Sequence, residues 1–141
     1  MVDAVGTVTK IVEVALKIKK AADTVKQNED ACKQIKSRVE ILSTTLSQHQ
    51  NNTELMNNSA VRLALDALAD ILGEALKLVT DCQEEDTNFP CLLYSSGKLS
   101  QELMKVEQHI SNKNMDATLA IIAFLLPKPI GPVSLPPAQQ V

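Results

Sequence analysis

The chain has 141 residues and a net charge of −3, with 45% apolar, 22% charged and only 2% aromatic residues. That length suits one domain able to bury roughly two thirds of its unfolded surface, and the balance is that of a folded chain. A weakly acidic chain without basic patches interleaved with aromatics is not built to bind nucleic acid, and a core of Leu, Val, Ile and Ala suits packed helices better than a sandwich or barrel.

Helical spacing dominates, and strand alternation is absent. Ile11, Val14, Ile18, Ala21 and Val25 form one stripe, and Val5, Val8, Val12, Ala15 and Ala22 widen it. Lys10, Glu13, Lys17 and Lys20 occupy the opposite face, so an amphipathic helix is expected over about residues 3–26. Asn28 is a candidate cap for a second helix, whose first turn carries Glu29 and Asp30 at the positive dipole end. Its stripe runs Cys32, Ile35, Val39, Leu42, Leu46 and His49, and the polar stretch 47–53 should end it.

A third helix is expected from Val61, Leu65, Leu68, Leu72, Ala75, Val79 and Cys82 in heptad register, flanked by Ala64, Ile71 and Leu78. Gly73 lies inside it, at a cost of about 1 kcal/mol against Ala, and is a candidate for a close helix crossing. The acidic run to Asp86 and then Pro90 should close it. Leu99, Leu103, Val106 and Ile110 mark a fourth helix. After a break at Ser111-Asn-Lys-Asn114, Met115 to Leu126 reads as a short brace helix. Residues 127–141 hold five prolines and read as an extended linker, which suggests the N-terminal piece of a longer protein.

Cys32, Cys82 and Cys91 are odd in number, and no secretory signal stands before them. The expectation is a reduced, cytoplasmic protein, or the cytoplasmic part of a larger one. The longest apolar run, Leu119 to Leu126, falls short of the ~18 residues that a membrane span needs. Cys32 and Cys82 sit on core stripes, where a free thiol packs as a small hydrophobe, which leaves Cys91 as the reactive candidate. His49 and His109 have no ligand-spaced partners for zinc. Glu84, Glu85 and Asp86 lack the glycine and ligand alternation of a calcium loop. Ser96-Gly97-Lys98 lacks the first glycine of a phosphate loop and the strand before it. No nucleophile has a base and an orienting group around it, so no catalytic site, cofactor or metal is expected.

Two blocks go further. Helix two carries Cys32-x-x-Ile35-x-x-Arg38-Val39, and helix three ends Leu78-Val79-x-x-Cys82-Gln83-Glu84. Together they resemble the N-terminal four-helix bundle of the HeLo, or mixed-lineage-kinase-domain-like, family. In plants that family includes MCA-type calcium-channel proteins and, in similar form, the coiled-coil domains of resistance receptors. The resemblance covers roughly residues 5–126. Glu85, Asp86 and Thr87 stand where the family commonly has bulky aromatic and basic residues.

The resemblance implies an all-α fold, an antiparallel four-helix bundle with a short C-terminal brace helix over residues 1–126. It also implies a non-enzymatic signalling module of a plant immune or cell-death protein. Such a module acts by regulated self-association and by contact of helix one with a membrane or partner. Lys10, Lys17, Lys19 and Lys20 are then the candidates for contact with anionic lipid, and Val8, Ile11, Val12 and Ile18 for insertion or packing. Cys32, Ile35, Val39, Leu42, Leu68, Leu72, Val79 and Cys82 are the expected core. The family pattern pairs Arg38 with an acid, with Asp70 or Glu74 as candidates. Expected partners are a second copy, anionic lipid at the plasma membrane, and a kinase-like, nucleotide-binding or other domain downstream; nucleic acid is not expected. The alternatives are a passive helical adaptor that docks or dimerises without touching lipid, and the cytosolic module of an MCA-type calcium-influx protein.

Overall fold

The computed structural model describes residues 4–83 and 96–127, and all regular structure among them is helical. The elements are α1 (Val5–Ala22), α2 (Glu29–His49), a short α3 (Thr53–Asn57), α4 (Ser59–Asp81) and α5 (Ser96–Leu125). Four long helices build the bundle that the apolar periodicity implies. Each buries one stripe: Val8, Ile11, Ala15 and Ile18 on α1; Cys32, Ile35, Val39, Leu42 and Leu46 on α2. Val61, Leu65, Leu68, Leu72, Ala75 and Val79 do so on α4, and Leu99, Leu103, Val106, Ile110, Ala117 and Ile121 on α5. Among the described residues every buried side chain is apolar or a cysteine, so the core is held by dispersion and water exclusion alone.

Helices adjacent in sequence run antiparallel, but the neighbours around the bundle do not alternate. α1 packs on α2 and on α4, while α5 packs on α4 and more narrowly on α2. At one end Thr7 Oγ1 donates to Asp66 Oδ1 at 2.8 Å; at the other Gln83 Nε2 donates to Thr24 Oγ1 at 2.7 Å, so α1 and α4 are parallel. α2 and α5 are parallel too, since residues 42–49 face residues 114–125. The link from α2 to α4 must therefore cross the bundle end, and α3 is that crossing.

α3 is the element that sequence spacing did not reveal. Asn52 caps it, its side chain accepting from the Leu55 N–H at 3.1 Å, and Asn58 caps α4 in the same way through Val61 N–H at 3.1 Å. Leu55 and Met56 are fully buried and close that end of the core, where the Ala4 N–H donates to the Met56 carbonyl at 2.9 Å. Gln50 adds a tie to α1, donating to Thr9 Oγ1 at 2.9 Å.

Three expectations are revised. The break at residues 111–114 is absent: α5 runs unbroken over 30 residues, because Ile110, Ala117 and Ile121 keep one register across it. The four polar residues sit on the flanks, and Gln108 Nε2 donates to Asn112 Oδ1 one turn on, at 3.2 Å. The brace is thus the second half of α5. α1 ends at Ala22 and not near residue 26; Asp23 to Asn28 turn the chain, and Asn28 adopts a left-handed φ of 54°. Gly73 faces open space, so it serves no close crossing. Pro90 and residues 128–141 of the expected linker lie outside the described residues.

Candidate functional site

On α1 the two halves of the expected contact set separate. Val8, Ile11 and Ile18 are fully buried, and Val12 is half-buried between helices. Lys10, Lys17 and Lys20 are exposed, and their spacing puts them on the outward face beside Leu16, a large apolar side chain 52% exposed. Among the described residues none of these three lysines has an ion-pair partner. Lys19 is different: it turns toward α2, with Nζ 3.9 Å from Glu40 Oε1. The closed bundle therefore presents Lys10, Lys17 and Lys20 with Glu13 and Leu16 among them, and the face suited to insertion is spent on the core.

Arg38 has neither of its expected partners. Its Nη2 lies 3.8 Å from Glu107 Oε2 on α5, while Asp70 and Glu74 are exposed on α4. The diagonal topology explains this: the flank of α2 that carries Arg38 faces α5. Lys36 Nζ donates to Asp23 Oδ1 at 2.7 Å and clamps α2 to the α1–α2 turn. That bond holds the Asp23 carboxyl below its usual range and lifts the Lys36 ammonium above its own.

At the opposite end from α3 the fold joins two residues that the sequence left apart. Cys32 stands in the first turn of α2 and Cys82 just beyond α4; both are fully buried and free. The α1–α2 turn covers them. Lys26 and Gln27 donate their N–H groups to the Cys82 carbonyl at 2.7 and 3.3 Å, and Asn28 Nδ2 lies 4.0 Å from Cys82 Sγ. The Cys82 thiol and burial together make Cys32 less acidic. Cys82 moves the other way: Cys32, helped by Asn28, outweighs burial and the nearby Asp81 charge.

His49 lines the α2–α5 seam, and His109 is exposed on α5. Among the described residues no cluster of His, Cys, Asp and Glu could hold a metal ion, and no helix is long and apolar enough to cross a membrane. Cys91 and the acidic run Glu84–Asp86 lie outside the described residues. Gly97 and Lys98 simply begin α5.

The second half of α5 carries a feature that sequence reasoning passed over. Met115, Leu119, Ile122 and Leu126, spaced 4-3-4, are exposed on one stripe beside the α2–α5 seam. Their spacing was legible; that they would stay uncovered was not.

Four long amphipathic helices around an all-apolar core, with three exposed lysines on the outer face of α1, define a helical-bundle domain. Residues 8–121 match the mixed lineage kinase domain-like N-terminal domain, and the chain belongs to that family of non-catalytic helical bundles. No curated protein and no solved structure matches the chain.

Proposed function

We propose that this chain is the N-terminal signalling module of a plant immune or cell-death protein. It acts by regulated self-association, with α1 as the element that meets an anionic membrane or a partner. Family membership supports the signalling class. The observation that carries the mechanism is the division on α1: Lys10, Lys17 and Lys20 stand free on the surface while Val8, Ile11 and Ile18 are held in the core. The lysines can touch lipid with the bundle closed; the apolar face can do so only after α1 leaves.

The test is co-sedimentation with vesicles containing phosphatidylserine, comparing the natural chain with Lys10→Glu, Lys17→Glu, Lys20→Glu. These side chains are exposed, so the triple variant should keep its helical content and lose binding. A correctly folded triple variant that binds as well as the natural chain removes the lipid role.

A second reading, a helical adaptor that docks a partner without touching lipid, is favoured by the uncovered stripe of Met115, Leu119, Ile122 and Leu126. Mass that rises with concentration, without any vesicle binding, supports it. Leu119→Glu would then abolish the association.

A further inference from the structure

We propose that the seam between α2 and α5 is a binding groove for a single-chain amphiphile with a singly charged anionic head, a free fatty-acid carboxylate. α1 packs broadly on α2 and α4, and α4 on α5, but α2 and α5 meet only narrowly. Two cavities open along that narrow contact. The first, of about 490 Å³, lies between residues 33–41 of α2 and Glu107 and Asn114 of α5. The second, of about 180 Å³, lies between residues 42–49 and 114–125. Asn114 lines both, and Ile41 and Leu42 adjoin across the join, so along two parallel helices the cavities form one groove.

The two ends differ in chemistry. The wide end carries Lys33, Ser37 and Arg38 on α2, facing Glu107 and Asn114 on α5. Lys33 is exposed, with no ion-pair partner among the described residues. Arg38 Nη2 stands 3.8 Å from Glu107 Oε2, too far for a hydrogen bond, so its fork of donors is open to a carboxylate. Two cations against one anion leave a single positive charge, which one carboxylate matches. A doubly charged phosphate would meet Glu107 uncompensated.

The narrow end is apolar. Leu42, Leu46 and Ile121 form its buried floor; Ile122 and Leu125, 46% and 49% exposed, form a wall. Exposed apolar walls above a core floor are what a run of methylenes covers. From Arg38 to His49 α2 rises about 16 Å, room for an alkyl chain laid along the helix. A partner helix, about 10–12 Å across with its side chains, does not enter a cleft of 180 Å³. The bound amphiphile would join the two most loosely packed long helices and favour the closed bundle by mass action. No residue of α1 lines the groove, so the inference stands apart from the lipid reading of that helix.

The experiment titrates the full 141-residue chain by calorimetry with octanoate, decanoate, dodecanoate and tetradecanoate, each kept below micelle formation. One site per chain is expected, with affinity rising about fifteenfold for each two methylenes until the groove is filled. Dodecanol, which lacks the charge, and dodecyl phosphate should each bind roughly tenfold more weakly than dodecanoate. Lys33→Gln with Arg38→Gln, both exposed, should weaken dodecanoate by a similar factor. Thr118→Trp fills the narrow end from an exposed position and should abolish binding at unchanged helical content. Affinity that ignores chain length, several molecules per chain, or equal binding of dodecanol overturns the site. So does tighter binding of dodecyl phosphate, or a ligand-free dimer that Thr118→Trp dissolves, since a second copy would then fill the groove. The chain carrying Lys10→Glu, Lys17→Glu and Lys20→Glu should bind dodecanoate as the natural chain does. A loss there would place the carboxylate on α1 and overturn the groove.

Discussion

Replacing Ile11 by Ala tests whether α1 opens as a unit. Ile11 is fully buried between α2 and α4, with Val8, Ala15 and Ile18 above and below it on the same stripe. Removing its outer methylenes leaves a cavity in a core that has no polar group to reorganise around, which costs about 2–5 kcal/mol. The same side chain is exposed whether α1 alone leaves or the whole chain unfolds, so both openings become easier by that amount. Native-state amide exchange separates them. If α1 leaves by itself, its amides in the natural chain report a smaller opening free energy than those at the centre of α4. In Ile11→Ala the α1 value then falls by about 2–5 kcal/mol while remaining below that of α4. Vesicle binding at fixed lipid should rise in parallel, roughly tenfold for each 1.4 kcal/mol until it saturates. Equal opening free energies for α1 and α4 in both chains would refute the reasoning, because α1 would then have no motion of its own.

Other substitutions probe single features. Gly73→Ala places a methyl in open space within α4 and should stabilise the chain by about 0.5–1 kcal/mol, read as a higher urea midpoint at unchanged slope. Asn58→Ala removes the cap on Val61 N–H and should cost about 1 kcal/mol in the same assay. Asp23, held below its ordinary value of 3.8 mainly by the hydrogen bond from Lys36, contributes above that pH, and its contribution is lost as pH falls through the folded value. The difference in urea midpoint between the natural chain and Asp23→Asn should therefore be flat from about pH 5 to 9 and close in acid; a difference that persists there points to a cause other than charge.

The four long helices were legible because their apolar residues keep strict helical spacing: Val61 to Val79 on α4 is a heptad seam, and a core without aromatics leaves few other architectures. α3 was not legible because five residues show no period. Its signals were local ones, an asparagine cap at Asn52 and the adjacent apolar pair Leu55 and Met56. The false break at Ser111 to Asn114 came from weighing propensity over register, and packing decides in a helix with this much buried surface. Lys10, Lys17 and Lys20 were readable as a surface strip from spacing alone. Arg38 was readable as a pairing residue, but its partner depends on which helices are neighbours, and that is a property of topology. The meeting of Cys32 and Cys82 is topological as well. Each lay on a core stripe, one at the start and one at the end of helices of opposite direction, so both fall at one end of the bundle, beside Asn28.

The energetics of α1 tie self-association to membrane contact in the proposed mechanism. Val8, Ile11 and Ile18 contribute about 1.5–3 kcal/mol each through burial, so roughly 5–9 kcal/mol resists release. Three surface lysines near an anionic leaflet return about 1 kcal/mol each, which leaves the closed state favoured. Insertion of the released apolar face into lipid recovers its own burial, but not that of the surface it uncovers on α2 and α4, the two helices on which α1 packs. Lipid cannot reach that surface while the remaining helices stay in water, whereas the same surface of a second copy can. A chain lacking residues 1–26 should therefore form a discrete oligomer at micromolar concentration, read by light scattering behind size exclusion, while the intact reduced chain stays monomeric. Leu68→Glu in the shortened chain should dissolve that oligomer. A shortened chain that is folded and monomeric would show that α2, α4 and α5 close on themselves without α1, and the coupling between release and assembly would fall.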